Sequence, residues 1–177
     1  KRMTPGQVYR EGANKGVIVG VYLSVIFLCA VLSDYVPLLS LVAILLMLGV
    51  PFFIYRIMNF IYKKYQRVAD FSSLWMLGIA LFLGGSLICS LVTYATLEYA
   101  LPDYIYNQAE KALELYQQMP QIKDSELTKY IKTAIENGLL PTPIEFAIEM
   151  LWLTSFAGSM LSLLLAAIIR AFNNKQN

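Results

Sequence analysis

Four long apolar runs, separated by polar stretches of unequal length, set the pattern of this chain. They lie at about 16–32, 36–55, 72–97 and 144–169. Each has 17 to 26 residues. At about 1.5 Å per residue, helices of that length span a hydrocarbon core of about 30 Å, the longer ones with tilt. No polar stripe runs along them, as a half-exposed helix of a soluble bundle would require. The fold class predicted is all-α, a four-helix membrane bundle with a small helical extracytoplasmic insert. The chain reads as a single membrane domain over 1–177, with the insert at 98–142.

The connections differ in kind. Ser33-Asp34-Tyr35 is so short that the first two helices must form an antiparallel hairpin. Residues 56–70 form a basic connection, and residues 98–142 a polar insert. The insert reads as two short amphipathic helices packed on each other and on the outer mouth of the bundle. Pro102-Asp103 suits a first turn. Ile105, Ala109, Ala112, Tyr116 and Met119 recur at helical spacing, and Pro120 stops that helix. Asp124 or Ser125 can cap a second helix carrying Leu127, Ile131, Ala134 and Ile135 on one face. Asn137-Gly138 is a fitting stop.

Charge adds an orientation. Lys1, Arg2, Arg10, Lys15, Arg56, Lys63, Lys64, Arg67, Arg170 and Lys175 are ten of the fourteen basic residues. Only Glu11 and Asp70 oppose them on that side. The insert side has four lysines against Asp34, Glu98, Asp103, Glu110, Glu114, Asp124, Glu126 and Glu136. The positive-inside rule then predicts cytoplasmic termini and a periplasmic insert, and an even number of spans agrees. Neither the long first run nor its flanks read as a signal peptide.

Composition narrows the chemistry. With 58% hydrophobic and 15% charged residues, disorder is excluded. Two cysteines make no disulfide framework. The absence of histidine removes the commonest metal ligand and general base. Cys29 and Cys89 lie in apolar spans and read as packing residues. Gly12-Ala-Asn-Lys-Gly16 lacks the Gly-Lys-Ser/Thr ending of a phosphate loop. There is no dinucleotide fingerprint, no cofactor is expected, and a net charge of +2 gives no case for nucleic acid.

Several residues stand out. Gly12, Gly16, Gly20 and Ser24 place small side chains on one helix face, for packing within the chain or for an interface with a second copy or partner. Gly84, Gly85 and Ser86, with Ala80 and Ser90, form a similar patch, as do Ser155, Ser159 and Ser162. Pro51, after Gly49, removes the amide that Met47's carbonyl needs, so a kink or a moving gate is expected. Thr142-Pro143-Ile144-Glu145 reads as a capping box, which gives Glu145 a structural role. Glu149, one turn deeper, is either a functional acid or an interfacial one, with Tyr94, Tyr99 or an insert lysine as candidate partners. Arg56, Lys63, Lys64 and Arg67, interleaved with Tyr55, Tyr62 and Tyr65, suit anionic lipid headgroups. Trp75 fits the inner interface, and Trp152 is expected to pack inside.

The order of these parts carries a resemblance. After the hairpin and basic connection comes ADFSSLWMLGIALFLGGSLICSLVTYATLEYALPDYI. A charged insert follows, then PTPIEFAIEMLWLTSFAGSMLSLLLAAIIRAF. The whole resembles the bacterial family known as domain of unknown function 4199, abundant in Bacteroidetes. That resemblance implies four spans in the inner membrane and transfers no activity or site residues. It points to a polyprenyl-phosphate glycosyltransferase or envelope system as a partner. The functional expectation is a non-enzymatic membrane subunit that binds lipids, a second copy or a partner protein. The alternative is a small transporter or channel built on Glu149 and Pro51, and a membrane enzyme ranks last.

Overall fold

The computed structural model describes residues 5–65, 70–123 and 125–174. Those residues form six α-helices and no strand. They are α1 (Pro5–Leu32), α2 (Leu38–Lys64), α3 (Phe71–Ala95), α4 (Tyr104–Gln118), α5 (Glu126–Glu136) and α6 (Pro143–Asn174). The segments Gly6–Leu32, Leu38–Lys64, Phe71–Ala100 and Pro143–Phe172 are each long and apolar enough to cross a membrane. Two compact units result. One comprises the described parts of Lys1–Leu91 and Glu149–Asn177, and the other is Val92–Ile148.

In the first unit α1 and α2 both run past the apolar limits read from the sequence. Pro5 opens α1 at a position where its missing amide costs nothing. The polar residues that follow share α1 with an inward row of Val8, Gly12, Gly16 and Val19, all buried. Likewise Met58, Ile61 and Tyr62 are buried and carry α2 on to Lys64. The core joins Val8 and Val19 of α1 and Ile54, Met58 and Ile61 of α2. It also takes in Leu74, Leu77, Leu81 and Phe82 of α3, and Leu165, Ala166 and Ile169 of α6.

Two seams organise this unit around α3. Against α1, Gly12, Gly16 and Gly20 each meet the residue 68 positions later. A Cβ on Gly12 would lie 2.5 Å from that of Ala80, and one on Gly16 would lie 3.2 Å from Gly84 Cα. A Cβ on Gly20 would lie 2.7 Å from that of Ile88. The constant offset makes α1 and α3 parallel and in backbone contact. Against α6 the pairing is antiparallel: Gly78 lies against Ser162, Gly158 against the Phe82 ring, and Ser86 bonds Ser155 at 2.8 Å. Lipid tails are as apolar as leucine, so such close packing, rather than burial from water, holds membrane helices together. Ser24 and Ser162 satisfy their hydroxyls on the carbonyls of Gly20 (2.7 Å) and Gly158 (2.6 Å) one turn back.

The second unit holds the insert. The end of α3 widens into a π turn, Thr96–Ala100, closed by the Leu101 amide on the Thr96 carbonyl at 2.9 Å. Pro102 and Asp103 therefore lie in a turn rather than a first helical turn, and α4 begins at Tyr104 with Asp103 at its cap. Helices α4 and α5 pack on each other. Ser125 caps α5 by accepting the Thr128 amide at 3.3 Å. Asp124 lies outside the described residues. Leu127, expected on the inward face, is exposed and Thr128 is buried instead. The Thr128 hydroxyl donates to the Ile122 carbonyl at 2.7 Å and turns that side of α5 inward. Gly138, at φ 65, takes the left-handed stop after α5.

Candidate functional site

A polar cavity in the first unit lies between the start of α1 and the end of α2. It is open, about 450 Å³, and lined by Gln7, Arg10, Glu11, Asn14, Lys15, Lys64 and Tyr65. The helical repeat explains the set. Residues 7, 10, 11, 14 and 15 return to one side of α1 every three or four positions, away from the glycine seam. Lys64 donates to Glu11 Oε1 at 2.5 Å and Tyr65 Oη donates to the same oxygen at 3.2 Å. Glu11 is largely shielded, with a side chain 16% exposed, whereas that of Lys64 is 51% exposed. Lys15 lies over the Phe60 ring, 6.0 Å from its centre. Three cations thus surround one carboxylate that is already engaged.

The seam register gives this cluster its meaning. By the 68-residue offset, Glu11 is level with residue 79, eight residues into α3, or about 12 Å beyond its start. By the pairing with α6 it is level with residues 161–162, and Leu163–Ile169 remain apolar below it before Arg170. The charged end of the first hairpin therefore stands beside helices that are still apolar for two more turns. Ionisable groups at such a level are costly unless paired or hydrated, and that cost makes them functional candidates. Long basic side chains reduce it by reaching along the helix surface toward water.

A second observation lies deeper in the same hairpin, five residues before Lys64 on α2. Asn59 Oδ1 on α2 is buried and has no hydrogen-bond partner among the described residues. Nothing in the spacing of Asn59 singles it out in the sequence. Neither did spacing reveal the Glu11–Lys64 pair, whose members are 53 residues apart.

The residues expected to matter separate into groups. Gly12, Gly16, Gly20, Gly84 and Gly85 are all occupied in the α1–α3 seam, and Ser24 is buried. Pro51 is exposed, and α2 continues through it. Tyr22 Oη donates to the Leu46 carbonyl at 2.6 Å, next to the carbonyl Pro51 frees, and its ring stacks on Phe53 at 4.6 Å. A Cβ on Gly49 would lie 2.8 Å from that hydroxyl, so the glycine makes room for it. Glu145 accepts the Thr142 amide at 2.8 Å, and its own amide points to Thr142 Oγ1 at 3.4 Å, a reciprocal cap.

Glu149 is exposed, and Tyr94 and Tyr99 engage each other edge to face. Arg56 lies 5.8 Å from the centre of the Phe52 ring, and Lys63 is exposed. Lys64 joins the polar cavity, and Arg67 lies outside the described residues. Trp75 donates to the Ser159 carbonyl at 3.3 Å. Trp152 corrects an expectation, because it is 70% exposed. The inward row of α6 passes through Gly158, Ser162, Leu165 and Ile169 at steps of four, three and four, and Trp152 is off that row.

Four apolar helices long enough to cross a membrane, joined by small-residue seams, define a multi-pass membrane protein. Residues 14–171 match the family described as Protein of unknown function (DUF4199), and the chain belongs to that family. No curated protein and no solved structure matches it.

Proposed function

We propose that this protein is a non-enzymatic membrane subunit, a packed bundle that presents its surfaces to lipids and to a partner protein. The observation that supports this most is the filled interior. Ile54, Met58, Ile61, Leu74, Leu77, Leu81 and Ile169 are each fully buried, and the α1–α3 seam brings backbones together. The hydroxyls of Ser24 and Ser162 inside it are spent on carbonyls of their own helices. A transporter builds its site from polar groups converging on a cavity near the midplane. Here the polar groups gather on the flank of the bundle instead.

With this role goes a bacterial inner-membrane location, with cytoplasmic termini and a periplasmic insert. Its support is charge: the seam registers bring Arg10, Lys15, Lys63, Lys64 and Arg170 toward one end of the first unit. A polyprenyl-phosphate glycosyltransferase or another envelope component is the partner class that family resemblance favours. Crosslinking in native membranes, followed by mass spectrometry, tests the proposal. A recurrent membrane-protein partner is expected. Recovery of the chain alone, from membranes in which known complexes crosslink, would overturn it.

A further inference from the structure

We propose that the cavity between α1 and α2 holds the headgroup of one anionic phospholipid, whose acyl chain lies along the face of α1 above it. The charge count favours an anion. Arg10, Lys15 and Lys64 contribute three positive charges and Glu11 one negative, so two positive charges are left over. Among the described residues Glu11 bonds one cation, Lys64, and the neutral Tyr65, with Lys15 acting on it by charge alone. Gln7 and Asn14 add neutral polar groups on the same wall, and about 450 Å³ accommodates a phosphate with its glycerol.

The surface above the cavity makes the anion a lipid. From Asn14 the same face of α1 continues through Ile18, Val21 and Val25, at steps of four, three and four. These three are 46%, 55% and 43% exposed. Asn14 to Val25 covers eleven residues, about 16 Å of apolar track, which matches an extended acyl chain in one leaflet. Phe60, also exposed, flanks the track beneath Lys15. A free phosphate would use the cations and leave the track idle. An acidic peptide would have to enter at a level where the neighbouring helices are apolar. A phospholipid uses both features and is already in the bilayer.

The carboxylate makes the proposal directional, since a lipid phosphate and Glu11 compete for Lys64. Removing the carboxylate should therefore strengthen lipid binding, although it breaks the Glu11–Lys64 ion pair. A purely structural pair predicts no such gain.

The test is native mass spectrometry of the full chain, released from vesicles of phosphatidylcholine mixed with phosphatidylglycerol. One phosphatidylglycerol should be retained in preference to phosphatidylcholine. Arg10→Gln with Lys15→Gln should lower that retention roughly tenfold or more, at about one charge interaction lost per residue. Glu11→Gln should raise it about fivefold, and Val21→Asn should lower it with every charge in place. Lys63→Gln, outside the cavity, should leave it unchanged, and Lys15→Arg should keep it even if the glutamine variants fold poorly.

Added glycerol phosphate, which has the headgroup chemistry without a chain, should not displace the lipid. Equal retention of the two lipids would overturn the proposal, as would a fall in retention with Glu11→Gln. Displacement by glycerol phosphate would overturn it in favour of a free-anion site, and displacement by an acidic peptide in favour of a protein partner.

Discussion

Helix α1 makes two seams, and they are opposite in kind. Toward α3 it is bare: Gly12, Gly16 and Gly20 bring its backbone onto Ala80, Gly84 and Ile88. Toward α2 it is crowded: Tyr22 stacks on Phe53 and reaches the Leu46 carbonyl, and Glu11 meets Lys64 and Tyr65. The bare seam tolerates no added atom but needs no particular partner chemistry. The crowded seam depends on named donors and acceptors, each of modest worth. Steric substitutions should therefore cost most on the first seam, and single-atom deletions should register on the second.

The largest effect is expected at Gly16. A Cβ there would lie 3.2 Å from both Gly84 Cα and the Leu81 carbonyl oxygen. Both obstacles are backbone, so the helices themselves must part. Gly16→Leu should destabilise the bundle by about 1–3 kcal/mol or more, the range for overpacked interiors, measured by reversible unfolding in mixed micelles. Gly6, with nothing within 4 Å of a Cβ, is the control on the same helix. Gly6→Ala should be neutral or gain roughly 0.5–1 kcal/mol through helix propensity. Equal costs at the two sites would mean that the seam is not close-packed.

The crowded seam gives a smaller, more specific result. Tyr22→Phe deletes one hydroxyl and should cost about 0.5–1.5 kcal/mol. Gly49→Ala should cost at least as much, because its Cβ would lie 2.8 Å from that hydroxyl. Once the hydroxyl is gone the space is free, so the alanine should be tolerated in the Tyr22→Phe background. A double-mutant cycle by the same unfolding assay reads this coupling. Additive costs would show that Gly49 and Tyr22 do not share that space.

The contrast between the seams also separates what is legible in the amino-acid sequence from what is not. The four spans are legible because length and apolarity are local properties. The small-residue faces are legible as faces, since Gly12, Gly16 and Gly20 recur every four residues. Their partner is not, because the 68-residue offset to Ala80, Gly84 and Ile88 is a long-range property. The same offset sets the level of Glu11, so the cavity cannot be read from its residues alone. Its cations look like an ordinary basic flank, and the start of α1 at Pro5 is hidden by those polar residues. Trp152 shows a different failure. Its depth along α6 suggests packing, but its direction is written in the row Gly158, Ser162, Leu165 and Ile169, which it does not join. At the insert, a cap at Asp124 or Ser125 and the stop at Gly138 are legible because caps are local chemistry, and the structure places the cap at Ser125.

The ion pair of the crowded seam should be worth still less. Lys64 is half in solvent, so the coupling of Glu11→Gln with Lys64→Gln should stay in the small range of exposed surface pairs and fall with salt. A coupling well above that range would mean that the cavity is dry rather than hydrated.

A more exposed contact of this kind lies in the other unit, where Tyr106 bonds Glu110 one turn on. That hydrogen bond, then the carboxylate's charge, then slight burial hold the Tyr106 phenol above its ordinary value of 10.0. A group whose pKa is raised on folding contributes stability that is fully present below its unfolded pKa. That stability is lost as the pH rises through the folded value. The contribution of Tyr106 therefore persists at neutral pH and fades only in strong alkali. Glu110→Gln should bring the phenol back toward 10.0 in an ultraviolet absorbance titration, while moving the neutral-pH unfolding midpoint less than any of the seam variants. A large loss of stability at neutral pH would show that Glu110 supports the insert by more than this exposed bond. The strict ranking from backbone seam to solvated pair would then fail at its weak end.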